Sequence, residues 1–161
     1  MAHALHRRPA LPSDAQRIVS WFPTRAAAIL WGGPAVPNPL TAAWLAQRIE
    51  AVDTVSYYVW VDASSVVQGV FTLRFQEEGR ARFGRFALSP EFRGQGLARE
   101  LVEEIISVAR SGGAKQLSLG VYGSNQIAKR VYGSVGFKIF GERPAEEEDL
   151  SGVSLEMKLD I

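Results

Sequence analysis

Two glycines one residue apart, Gly94 and Gly96, follow Arg93 and lead straight into a run with helical periodicity, Leu97 to Ala109. Glycine lets a backbone turn tightly and leaves its N–H groups uncovered. Joined to the first turn of a helix, such amides form an anion site. Arg93 adds a positive charge, and a diphosphate fits a cradle of this kind. Two familiar phosphate loops are excluded. One needs Gly-Lys-Ser/Thr, but Gly96 is followed by Leu97. The dinucleotide fingerprint needs a small residue where Arg99 stands. Taken alone, the loop also reads as a helix start with flexible glycines.

A second group lies downstream, from Asn125 through Ala128 to Tyr132, closing on Gly136-Phe137. Asn125 suits a helix N-cap. Tyr132 shares an apolar face with Ala128 and suits a core position. Gly136 suits a helix C-cap.

Other chemistries are ruled out by composition. The 161 residues include no cysteine, which excludes disulfides, thiolate nucleophiles and cysteine-rich zinc sites. The only histidines, His3 and His6, sit near the start and outside any ligand cluster, so no metal is expected. A formal net charge of +1 supplies no general attraction to nucleic acid or anionic membranes, and neither is expected as a partner. No apolar run approaches the roughly 20 residues that span a bilayer. The stretch MAHALHRRP lacks the apolar centre of a signal peptide, which makes the cytoplasm the expected location.

The elements that must position these residues follow from periodicity. Leu5 to Ala10 reads as a first strand, and Ser13 with Gln16 as a capping box opening a helix through Ile18, Val19 and Trp21. Trp31 to Pro39 reads as a loop, and Thr41 as the cap of a helix carrying Trp44, Leu45 and Ile49. Val55 to Val61, Val66 to Phe75 and Arg82 to Leu88 have the alternation of an antiparallel meander, with Glu77-Glu78-Gly79 as a turn. After the Leu97 to Ala109 helix come a strand at Gln116 to Tyr122, a short helix at Gln126 to Val135, and strands at Lys138 to Gly141 and Val153 to Leu159. The order is mixed α/β in one 161-residue domain, with one strand–loop–helix–strand crossover at its centre.

The segment Arg93-Gly94-Gln95-Gly96-Leu97-Ala98 resembles the Arg/Gln-x-x-Gly-x-Gly/Ala loop of the GNAT N-acetyltransferase superfamily, and Asn125 to Tyr132 is similar to that family's Asn-x-x-Ala-x-x-x-Tyr segment. The resemblance covers most of Val55 to Ile161, whereas residues 1–54 match only as helices after a first strand. It implies a mostly antiparallel central sheet of about six to seven strands flanked by about four helices. It also implies acetyl-coenzyme A as co-substrate, with its diphosphate on residues 93 to 98. Pantetheine would lie between the Phe86-Ala87-Leu88 strand and Gln116 to Tyr122, held by Asn125 beside Ala128. A backbone N–H of Phe86, Ala87 or Leu88 would polarise the thioester carbonyl, and Tyr132 would supply the leaving sulfur with a hydrogen bond or proton. A small-molecule or peptide amine would be the acceptor, and edge strands of such sheets can pair into homodimers.

One departure separates this chain from similar members that acetylate ribosomal-protein N-termini: they carry a Glu where Gly120 stands. Glu77, Glu78 and Glu91 are further carboxylates that could relay a proton. The acidic run Glu146 to Asp149 favours a small cationic amine as acceptor, unless it is only a solvated loop. Trp31 and its Gly-Gly-Pro loop are expected to wall the acceptor site. A non-catalytic acyl-CoA-binding regulatory module is the competing function.

Overall fold

The computed structural model describes residues 4–51, 55–144 and 152–161. Among them lie seven strands: β1 (His6–Pro9), β2 (Ser56–Val61), β3 (Val67–Phe75), β4 (Arg80–Leu88), β5 (Gln116–Tyr122), β6 (Lys138–Arg143) and β7 (Ser154–Asp160). The helices are α1 (Ala15–Ser20), α2 (Arg25–Gly32), α3 (Ala42–Glu50), α4 (Leu97–Ser111) and α5 (Gln126–Ser134). The strands form one sheet in the order β1-β2-β3-β4-β5-β7-β6. Every neighbouring pair is antiparallel except β4 and β5, which the α4 crossover makes parallel.

Alternate residues of β2 face two separate cores, as the period of two requires. Trp60 packs with Phe71, Phe83 and Leu117 beneath α4, whose Leu101, Val102 and Ile105 cover that face. Tyr57 and Val59 face the other way, against Ile18 of α1, Ile29 of α2 and Leu45 of α3. The N-terminal helices therefore cover one half of the sheet face opposite α4.

That N-terminal region is where the sequence reading needs correction. The expected Ser13–Gln16 capping box is absent. Pro12–Asp14 forms a short 3-10 turn instead, and the Leu11 N–H donates to Asp14 Oδ2 at 2.7 Å. Asp14 is the better acceptor because it is charged and also takes two hydrogen bonds from Arg8, at 2.8 and 2.9 Å. The expected loop at Trp31 begins too early, since Trp31 and Gly32 are the last turn of α2. The run Ala26-Ala27-Ala28 has high helix propensity, and the Thr24 hydroxyl caps it by accepting from the Ala27 N–H at 3.1 Å. Gly33, at φ 82°, then ends the helix. The described residues thus hold five α-helices where about four were expected. The Thr41 cap on α3 is present, with its hydroxyl accepting from the Trp44 N–H at 3.1 Å.

Candidate acyl-CoA and acceptor site

Strands β4 and β5 pair only over Arg80–Arg82 and Gln116–Ser118. Beyond that point they part, although each stays hydrogen-bonded to its outer neighbour, β3 or β7. Both strands therefore present one unpaired edge to the gap. An irregularity in β4 drives the parting. The register against β3 shifts between Val70 and Thr72, and Arg85 opposite that shift has φ 47°, a left-handed conformation rare for a residue with a side chain. The surroundings hold this bend. Trp31 Nε1 donates to the Arg85 carbonyl at 2.8 Å. The Arg85 guanidinium donates to the Tyr57 hydroxyl and lies 5.5 Å from the centre of the Trp44 ring. Helices α2 and α3 thus brace the bulge from one face of the sheet.

The gap opens into a cavity of about 810 Å³. Nine of the expected site residues line it: Phe86, Ala87, Leu88, Arg93, Gly94, Ala98, Asn125, Ala128 and Tyr132. Gln95, Gly96 and Leu97 do not. Gln95 turns away and donates to the Glu91 carbonyl at 2.6 Å, while Leu97 is buried in the α4 core. Gly96 is the N-cap of α4 with φ 76°, and Gly94 has φ 73°. A Cβ built on either glycine would meet nothing within 4 Å, so no neighbouring side chain covers the loop there. Arg93 donates to the Leu88 carbonyl at 2.9 Å, which fixes its charge beside the end of β4.

Across the gap, Asn125 is a cap as expected, accepting from the Ala128 N–H at 3.2 Å. Tyr132 is both a core residue and a cavity residue. Its ring packs edge-on against Phe83 at 5.6 Å, yet its side chain lines the cavity and makes no hydrogen bond to a described residue. Burial pushes the phenol well above its ordinary pKa, so at neutral pH it is a proton donor and not a base.

Trp31, Gly32, Gly33 and Pro34 line the cavity too, where a wall of the acceptor site was expected. Glu77, Glu78 and Glu91 are not among its lining residues. The acidic run Glu146 to Asp149 lies outside the described residues. Sequence reasoning missed Arg74, Arg82 and Arg143, which also line the cavity. The available signal was parity: Arg74 sits two residues from Thr72 and four from Val70, on the strand face that Val70 turns to the second core. Among the described residues, no cluster of His, Cys, Asp and Glu suits a metal ion. No helix of these residues is long and apolar enough to cross a membrane.

A sheet parted beside a glycine loop invites comparison with known proteins. The sequence model of the acetyltransferase (GNAT) family matches residues 22–137. The chain belongs to that family. Among curated relatives, an uncharacterised N-acetyltransferase of Mycobacterium tuberculosis (strain ATCC 25618 / H37Rv) is 41% identical over 56 residues. That match spans 35% of this chain and 36% of the relative. A second, from Bacillus subtilis (strain 168), is 38% identical over 53 residues, or 33% of this chain and 34% of the relative. The GNAT fold recurs at low identity in solved structures. Spermidine N-acetyltransferase from Vibrio cholerae, in complex with CoA and spermine, has TM-score 0.79 at 19% identity and covers 97% of this chain and 95% of its own. An aminoglycoside acetyltransferase in complex with coenzyme A and kanamycin has TM-score 0.73 at 16% identity, covering 98% and 95%.

Proposed function

We propose that this GNAT protein transfers an acetyl group from acetyl-CoA to a primary amine by direct attack in a ternary complex. The observation that carries the reading is the parting of β4 from β5, with the open glycine loop at one end and the Tyr132 side chain in the wall. The amides of residues 93 to 98 would receive the diphosphate, with Arg93 adding charge. The unpaired strand edges would hold the pantetheine arm as an added strand would be held, and Asn125 would steady it. Acetyl-CoA supplies the activated acyl group. A backbone N–H of Phe86, Ala87 or Leu88 stabilises charge on the carbonyl oxygen. The free amine forms the new C–N bond as the C–S bond breaks. Tyr132 donates a hydrogen bond to the departing sulfur and passes its proton only as the C–S bond breaks; the amine's surplus proton leaves to water, from which the phenol is restored.

Spermine and kanamycin in the two related complexes suit the small cationic acceptor expected from the acidic run. The described wall of this cavity also carries arginines, which favour an acceptor that bears a negative group beside its amine. The competing reading, a non-catalytic acyl-CoA-binding module, gives no role to an unbonded phenol in the wall. The test is acetyl-CoA-dependent thiol release across a panel of amines. Release that depends on the amine supports transfer; CoA binding without such release with any amine supports the binding module.

A further inference from the structure

We propose that the acceptor amine also carries an oxyanion, as an α-amino acid does, and that Arg74 receives it. This deepens the acetyl-transfer reading and rests on it.

Apart from Arg93 at the glycine loop, the cavity is lined by four further arginines, Arg74, Arg82, Arg85 and Arg143, and no Asp or Glu lines it among the described residues. Arg74 and Arg82 are direct partners across β3 and β4, an arrangement of like charges that costs stability unless compensated. The nearby carboxylate neutralises Arg82 and leaves Arg74 uncompensated. Glu156 accepts a two-pronged pair of hydrogen bonds from Arg82 at 2.9 and 3.1 Å, and a third from Arg143 at 3.3 Å. Arg85 spends its donors on the neutral Tyr57 hydroxyl and Gly32 carbonyl, so its charge stays unneutralised.

Arg74 is left over. Its side chain makes no hydrogen bond or ion pair with a described residue, and its Nε is buried without a partner. A buried donor without a partner is costly, and the guanidinium fork matches a carboxylate in shape and charge. An oxyanion on the acceptor would accept from Arg74 and neutralise the charge that Glu156 leaves unmet. A polyamine would add positive charge to positive charge, and the same wall would reject it.

The experiment compares thiol release with α-amino acids, the corresponding neutral amino-acid amides, aminoalkylphosphonates and polyamines. Each anionic amine is expected to exceed its neutral counterpart by about 10-fold or more in kcat/KM. The phosphonate arm tells a planar carboxylate from a tetrahedral oxyanion, and activity with either supports the inference. Arg74→Gln is expected to shrink the acid-to-amide ratio by about 10-fold through KM, with Arg74→Lys restoring part of it. CoA affinity serves as the folding control. A polyamine or neutral amide that matches the acids, or an unchanged ratio in folded Arg74→Gln, would overturn the inference.

A second measurement separates this inference from the activity it rests on: titration of the CoA-saturated protein with an N-acetyl-amino acid. Binding that Arg74→Gln abolishes, without thiol release from any amine, would refute transfer and keep the oxyanion site. No binding to the wild-type protein at millimolar concentration would refute the site.

Discussion

Gly120 and Glu156 face each other across β5 and β7, and a Cβ on Gly120 would stand 2.9 Å from a Glu156 carboxylate oxygen and 2.9 Å from Arg82 Nη2. The space beside β5 that a longer residue at position 120 would enter already holds an ion pair. The carboxylate there comes from the neighbouring strand and is engaged by two arginines. Its lone pairs are committed to guanidinium donors, which suits it to positioning Arg82 more than to taking a proton from an amine.

Gly120→Glu therefore does not install a working base. The new carboxylate would compete with Glu156 for Arg82 and bring two negative charges together. The expected result is slower turnover with every acceptor and a stability loss of about 1 to 2 kcal/mol, between the values for exposed and buried pairs. Steady-state kinetics and thermal melts of the variant check this. Faster acetylation of a peptide N-terminus would contradict it.

Gly96→Ala tests the anion loop. The φ of 76° places any side chain in the left-handed region, at a cost of about 1 kcal/mol or more, and relief of that strain would re-aim the loop's amides. CoA affinity is expected to fall by about 10-fold or more while the fold persists, as read by calorimetry and circular dichroism. Undiminished affinity in the folded variant would move the diphosphate elsewhere.

Tyr132 also makes a pH prediction with a definite sign. Its folded pKa lies above the unfolded value because burial disfavours the phenolate. Below the unfolded pKa of about 10, both states hold the proton and stability does not depend on it. Above that, the unfolded chain releases the proton while the folded one keeps it, so stability falls as pH rises toward the folded value. Denaturant titrations from pH 9 to 11 should show the wild type losing stability relative to Tyr132→Phe. Parallel curves would mean that the phenol is not desolvated.

Much of this was legible because local signals agreed with the fold. Gln116 to Tyr122 is a strand at the expected bounds, and the Arg93–Gly96 loop opens α4 where the glycines place it. Thr41 and Asn125 cap helices as their residue types suggest. Misreadings gathered where tertiary partners decide. Asp14 became the acceptor at the start of the first helical turn because Arg8, on the neighbouring strand, pairs with it. At the bulge the positive φ falls on Arg85 and not on its neighbour Gly84, since Trp31, Tyr57 and Gly32 hold Arg85 from afar. The arginine wall was hidden for a similar reason. Arg74, Arg82 and Arg143 lie on three different strands, and only the sheet order gathers them around one cavity.

Tyr132→Phe tests acetyl transfer at this site most directly. Removing a hydroxyl that bonds to no described residue should leave stability near neutral pH within about 0.5 kcal/mol and CoA affinity essentially unaltered. Amine-dependent thiol release, measured at saturating acetyl-CoA with the best acceptor, should slow by roughly 10- to 10⁴-fold, the scale for losing a positioned proton donor. Wild-type turnover in that variant would contradict a proton-donor role and leave Tyr132 a core residue with no part in the chemistry.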